Sequence, residues 1–368
     1  MIWLTWRQFR VQALTAVAAL AAFAIVLAAA EPSLSGVYDS SGLASCHGAA
    51  CAGLASTFIN DLASGGIAGL PGTVYTILYL LSILVILIAP AIIGIFWGAP
   101  LIARELEAGT FRLAWNQSIT RTRWLAVKLA LIGVAAMVVT EAFSLIQAWW
   151  AAPIGKAVGL GGGASILSEG RFGEFVFPTH GITPLGYAAF GFALGVTAGL
   201  LVRRAIPAMA ITLAIFAAAQ LITPLIRPTL LPTSRTVTTI AAAGATVSLK
   251  ANPKLAFTAT TVPGKPGAWI ISSEGVNAAG KPVSTIPAAC EPAVSRTFGG
   301  VKVPATAGPG ALLAPVNNCV ASHGIRVAEN YQPASHYWPL QWSETGMYLA
   351  LALALAGFCF WRLNRRRT

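Results

Sequence analysis

Ionisable side chains are sparse in this chain, so the places where they gather set what chemistry it could do. The densest gathering is RELEAGTFRLAWNQSITRTRWLAVK, Arg104 to Lys128. It crowds charges, amides and hydroxyls between the uncharged run Thr73–Ala103 and an apolar run that resumes at Leu129. So short a polar bridge between two membrane spans must lie at a water interface and cannot fold by itself. Its basic residues Arg104, Arg112, Arg121, Arg123 and Lys128 put that interface on the cytoplasmic side. On charge alone it could be an ordinary snorkelling loop.

Other candidate chemistry is thin. Gly275-x4-Gly280-Lys281 approaches a phosphate-binding loop, but Pro282 replaces the Ser or Thr that would hold Mg²⁺, and no strand-then-helix context surrounds it. A hairpin turn is expected there instead. No HExxH motif occurs, and His47, His180, His323 and His336 are scattered, as solvated or capping histidines are. No catalytic, metal or cofactor residue is therefore assigned, and the chain is not expected to be an enzyme. Cys46, Cys51, Cys290 and Cys319 fall in segments read as exterior, where disulfides persist. Four cysteines allow three pairings. The local pairs Cys46–Cys51 and Cys290–Cys319 ask least of loop closure, and the cross-pairings would tie the first exterior loop to the last domain. Cys359, inside an apolar span, is expected to stay reduced.

These residues must be positioned by a membrane protein. Charged residues make up 10% of the chain and hydrophobic ones 56%, whereas a soluble domain carries about 25% charged residues. A net charge of +12 would suggest a polyanion partner in a soluble protein. Here the excess collects in the segments read as cytoplasmic, so it reports topology and not nucleic-acid binding.

Met1–Arg10 sets Trp3, Trp6 and Phe9 beside Arg7 and Arg10, as an interfacial helix would. Val11–Ala30 is uncharged and ~30 Å long as a helix, enough to cross. It resembles the apolar region of a signal peptide, but retention as the first span is expected. Glu31–Gly72 reads as an exterior loop. Thr73–Ala103 is the second span, with kinks expected at Pro90 and Pro100, and Trp124–Ala152 the third. The Gly-rich exterior segment Pro153–His180 follows. Gly181–Val202 and Ala205–Ile226 are spans four and five around a turn at Arg203–Arg204. Gly191, Gly195 and Gly199 share one helix face, which lets another backbone approach closely; packing inside the chain is preferred to a subunit interface. Arg227–Glu344 is a long exterior insertion in which TVTTI, ATVSLK and AWIIS look like strands. Thr345–Trp361 is the sixth span, closed by the basic RLNRRRT. The fold expected is an all-α polytopic membrane protein with a small β-containing exterior domain. Its parts are residues 1–226 (with the bridge 104–123), 227–344 and 345–368.

The order Glu107-x-Gly109-Thr110, then Arg121, Trp124 and Lys128, resembles the coupling loop between spans two and three of ABC-2-type (type V) ABC transporter permeases. GFALGVTAGLLVRRAIPAMAITLAIF and YQPASHYWPLQWSETGMYLALALALAGFCFWRLNRR further resemble a group of actinobacterial ABC permeases. The resemblance implies six spans with both termini cytoplasmic and a cell-membrane location. It also implies a permease dimer joined to two copies of a separate ATPase that binds ATP and Mg²⁺, with export of a hydrophobic or amphipathic substrate. Glu105, Glu107, Gly109, Thr110, Arg112, Arg121 and Arg123 would then form the ATPase contact.

Glu141 is the one acid inside a span, ~27 Å beyond Arg123 at helical rise. Intramembrane charge is costly and by default a functional candidate. Pairing with a polar neighbour or snorkelling is preferred for it, with substrate contact as the alternative; Gln147 and Gln220 are further pathway candidates. A membrane sensor or immunity protein whose exterior domain binds a peptide or lipid is the other class of function.

Overall fold

The computed structural model describes residues 2–46, 51–64, 66–67, 70–71, 73–107, 120–161, 167, 170–249, 255–259, 262–283, 285, 287–293 and 309–365. Two compact units emerge, one of 1–230 with 338–368, the other of 231–337. Among the described residues six helices are long and apolar enough to cross a membrane. This is a helical multi-pass membrane protein.

Helix α1 (Ile2–Ser40) merges the expected interfacial segment and the first span into one rod. No Gly or Pro interrupts it before Pro32, so nothing breaks the backbone ladder between Arg10 and Val11. Past Pro32 the helix persists because Leu34 and Tyr38 are buried in a cluster with Phe58, Ile59 and Leu62. Those partners belong to α2 (Cys51–Ser64), inside the segment expected to be a loop. The buried series Ala55, Phe58, Ile59, Leu62 has helical spacing, which its Ser, Gly and Ala neighbours hide. A short hairpin, β1 (Gly66–Ile67) with β2 (Leu70–Pro71), follows.

The second span is α3 (Thr73–Ile93), a π-helical stretch Gly94–Gly98, and α4 (Ala99–Glu107). The irregular turn thus lies between the two prolines from which kinks were expected. The third span is α5 (Arg121–Trp150), begun by Thr120, whose hydroxyl accepts from the Arg123 amide at 3.3 Å. Next come α6 (Ala152–Gly159) and a 3₁₀ turn Phe177–Thr179. The segment read as Gly-rich and polar is well packed there, with Phe172, Val176, Phe177 and Thr179 buried.

Helix α7 (Thr183–Val202) is the centre of the unit, buried along nearly its whole length. The second span, α5 and α8 (Ala205–Ile226) all pack on it. Its glycine face meets the π-helical stretch backbone to backbone. A Cβ on Gly195 would lie 2.1 Å from the Gly94 carbonyl oxygen, and one on Gly199 2.4 Å from that of Ala99. The stripe therefore works inside the chain, bringing two backbones closer than any larger residue allows. The outward faces of α1 and α8 are apolar and exposed, with Ile206, Leu221 and Leu225 each at least 75% accessible. Such surface has its natural solvent in lipid.

The second unit holds a three-stranded antiparallel sheet in the order β3 (Ser234–Thr238), β7 (Arg326–Gln332), β6 (Trp269–Val276). A separate hairpin pairs β4 (Thr246–Leu249) with β5 (Leu255–Thr258). Helix α9 (Pro309–Ser322) supplies Val316 and Val320 to a core with Ile240, Phe257 and Val327. Cys290 is buried in that core and bonded to Cys319, and a second bond joins Cys46 to Cys51. These are the local pairs. Cys359 is free and buried. The near-match to a phosphate loop is a turn: the Gly280 amide donates to the Asn277 carbonyl, Gly280 has φ 75°, and Val276 bridges Pro282 antiparallel. The last span is α10 (Tyr337–Arg365), longer at both ends than its apolar stretch.

Candidate functional site

The bridge between the second and third spans is described at its two ends. At one end α4 carries Glu105 and Glu107, and each acid reaches a different neighbouring span. Lys128 of α5 donates to Glu105 Oε1 at 2.5 Å, and its ammonium also lies 4.7 Å from the centroid of the Trp124 ring. Glu107 Oε1 accepts from the Ala205 backbone amide at 3.1 Å. That amide opens α8, where unpaired N–H groups and the helix dipole favour a carboxylate. The chain enters α8 through Arg203 in the left-handed region, φ 59°, the tight turn that brings Ala205 within reach of Glu107. At the other end Arg121 and Arg123 occupy the first turn of α5, Arg123 exposed. Gly109, Thr110 and Arg112 lie outside the described residues.

The two acids expected at a partner contact thus face helices of this chain. Glu105 is largely shielded beside a buried lysine. Together they make the end of α4 a fork, with one tine on the third span and one on the fifth.

The pathway candidates are spread over two helices that both pack on α7. On α5, Glu141 is half-buried and its Oε2 has no hydrogen-bond partner among the described residues, and Gln147 is fully buried with neither amide atom bonded there. Neighbouring polar groups on α5 are satisfied: Thr140 donates to the Ala136 carbonyl and Ser144 to that of Thr179. On α8, the Gln220 amide nitrogen is likewise unbonded. No hydrogen bond among the described residues joins these three.

A larger polar assembly joins residues that the sequence places only at span boundaries. Arg227, just past α8, meets Glu344 of α10 with Nε to Oε2 at 2.8 Å and Nη2 to Oε1 at 3.2 Å. Tyr187 of α7 donates to Glu344 Oε1, and the Arg227 guanidinium lies 4.3 Å from the Phe177 ring centroid. Tyr348 pairs with the Thr223 hydroxyl and stacks edge-on against Tyr187 at 4.6 Å. One turn before Glu344, Gln341 Oε1 accepts from the amides of Ile182 and Thr183, and its Nε2 donates to the Phe177 carbonyl. These contacts tie four chain segments together. The signal available in the sequence was an Arg at the end of one span and a Glu at the start of the next.

The described histidines are accounted for locally. His180 Nδ1 faces the Val176 carbonyl at 2.9 Å, and burial pushes its pKa down, favouring the neutral ring. His323 Nδ1 faces the Cys319 carbonyl at 2.9 Å, and His336 Nδ1 faces Gln332 Oε1. Cys290, Cys319 and His323 cluster, but both sulfurs are consumed by their bond.

Six helices long and apolar enough to cross a membrane, with a short charged bridge after the second, define a multi-pass membrane subunit. The sequence matches the family described as ABC-2 membrane transporter related over residues 17–227, which takes in spans one to five and the bridge. The chain belongs to that family, and is thus a membrane component of an ABC transporter, which implies an ATPase partner. No curated protein and no solved structure matches it.

Proposed function

We propose that this chain is the permease subunit of an ABC exporter in the cell membrane. It moves a hydrophobic or amphipathic substrate outward, driven by a separate ATPase that supplies ATP and Mg²⁺. The assembly has two permease and two ATPase copies, with both permease termini cytoplasmic. The family match across the five spans and bridge carries this reading. Charge supports the orientation, since Arg203, Arg204, Arg362 and Arg365 share the bridge's side of the bilayer.

The bridge docks on the ATPase, with Gly109, Thr110, Arg112, Arg121 and Arg123 supplying the contact and Glu105 and Glu107 working behind it. Through the fork, a push on the bridge reaches the third span by Lys128 and the fifth by Ala205 together. Glu141, Gln147 and Gln220 each keep a side-chain polar atom without a hydrogen-bond partner among the described residues, in spans that such movement would shift.

The test is copurification of an ABC ATPase with the tagged chain, followed by substrate-stimulated ATP hydrolysis in the Glu107→Lys variant. Loss of stimulation with an intact complex is expected. Normal stimulation would remove Glu107 from the coupling path, and a chain that recruits no ATPase would end the exporter reading. Single cysteines at Thr368 and Ser284 should label from opposite sides of the membrane.

A further inference from the structure

At the end of the spans that carries the bridge, α1 and the second span enclose a pocket of about 180 Å³. Its walls include Phe9 and Gln12 of α1, Trp97, Leu101 and Arg104 of the second span, and Ile132 of α5. Two contacts hold the walls in place. Phe9 meets Trp97 edge-on at 4.8 Å between centroids, and Gln12 Nε2 donates to the Phe96 carbonyl at 3.0 Å.

The height of the pocket in the bilayer follows from its residues. Phe9 opens the first apolar span, and Arg104 and Glu105 close the second. The pocket therefore sits where hydrocarbon gives way to headgroups and water. The first span beside it is scarcely covered by protein, and Phe96, whose carbonyl accepts from Gln12, is 54% exposed, so the pocket lies on a flank of the unit that lipid can reach. A cleft that lipid can reach at that depth fills with whatever the bilayer supplies.

Charge decides which lipid. Glu105 also lines the pocket, but its carboxylate is engaged by Lys128 at 2.5 Å. Arg104 is exposed and forms no ion pair among the described residues. The pocket thus offers one unspent cation over apolar walls, and no free acid to meet the ammonium of a zwitterionic headgroup. We propose that it binds an anionic phospholipid, with the phosphate on the Arg104 guanidinium and an acyl chain along Leu101 and Ile132. A guanidinium suits this role because it offers a planar pair of donors to phosphate oxygens. The site is separate from the transport reading and stands or falls independently of it.

The test uses the purified full chain in detergent, titrated with phosphatidylglycerol, phosphatidylcholine or inorganic phosphate. Bound lipid is counted by native mass spectrometry and stability followed by thermal unfolding. Wild type should prefer phosphatidylglycerol to phosphatidylcholine by roughly tenfold, the scale of one charge-assisted contact. Inorganic phosphate should give no comparable stabilisation. Arg104→Gln should lose the preference while keeping the apolar walls. Leu101→Trp, which fills the pocket and leaves the charge, should lose the retained lipid; it decides the question alone if Arg104→Gln does not fold. Unchanged preference in either folded variant overturns the proposal, as does stabilisation by inorganic phosphate equal to that by the lipid.

Discussion

Arg227 and Glu344, 117 positions apart in the chain, meet as a two-point ion pair with side chains 1% and 0% accessible. The chain leaves the membrane unit after Leu230 and returns at Trp338, so the pair joins the strands of chain on either side of the inserted second unit. Its desolvation is offset by Tyr187, by the Phe177 ring and by the geometry of two parallel donors.

Removing one partner strands the other as a buried charge. Arg227→Met or Glu344→Leu alone should cost about 3–5 kcal/mol, and the two together much less than the sum, because no charge is then left unpaired. Thermal unfolding of the two single variants and the double variant in one detergent measures this. Additive losses in the double variant would show that the pair does not act as a unit.

How much of this could be read from sequence depended on what each element had to bury. Spans were legible because crossing a bilayer needs long uncharged runs, and α8 has the bounds expected, Ala205–Ile226. TVTTI, ATVSLK and AWIIS each fall in or beside a strand. The central strand β7 escaped because RVAENYQ reads as polar, although Glu329 and Gln332 are wholly buried in it. Helix α2 escaped because small residues dilute its apolar stripe. The fork escaped because an acid at a helix end looks solvated until the turn at Arg203 carries Ala205 to it. Arg227 and Glu344 were legible as residues but not as partners, since pairing across the insertion is a tertiary fact.

The glycine face of α7 makes a sharp prediction because what a side chain would strike is backbone. Gly195→Ala should cost at least about 3 kcal/mol, the upper end of ordinary overpacking, since neither the Gly94 carbonyl nor the Ala99 amide can turn away. Gly357→Ala in α10, with nothing within 4 Å of the new methyl, should cost nothing and gain up to about 1 kcal/mol of helix propensity. Equal unfolding midpoints for these two variants would refute the close approach.

The bond between Cys290 and Cys319, 29 positions apart, should contribute roughly 3–4 kcal/mol by restricting the unfolded chain. The Cys46–Cys51 bond closes a loop of only 5 positions and should contribute less. Non-reducing peptide mapping should recover these two pairs and leave Cys359 alkylatable after unfolding. A peptide joining Cys46 to Cys290 or Cys319 would refute the pairing. Cys290→Ser with Cys319→Ser should lower the unfolding midpoint more than the matching change at Cys46 and Cys51.

Glu329 gives the second unit a pH dependence of determinate sign. Its side chain lies in the middle of the sheet between Thr236 and Ser273, fully buried, with neither carboxylate oxygen hydrogen-bonded among the described residues. Desolvation raises its pKa above the ordinary 4.5, because burial disfavours the charged form. The folded chain therefore holds a proton that the unfolded chain releases once the pH passes the ordinary value. Below that value both states are protonated and the group is neutral in its effect. As pH rises through the window between the ordinary and the raised value, stability falls, and it stays low above the window. Glu329→Gln keeps the shape and removes the ionisation, so it should raise the unfolding midpoint at neutral pH and leave it unchanged in acid. Midpoints for both proteins across the acidic to neutral range decide the matter: parallel curves would mean that Glu329 finds a compensating partner when ionised.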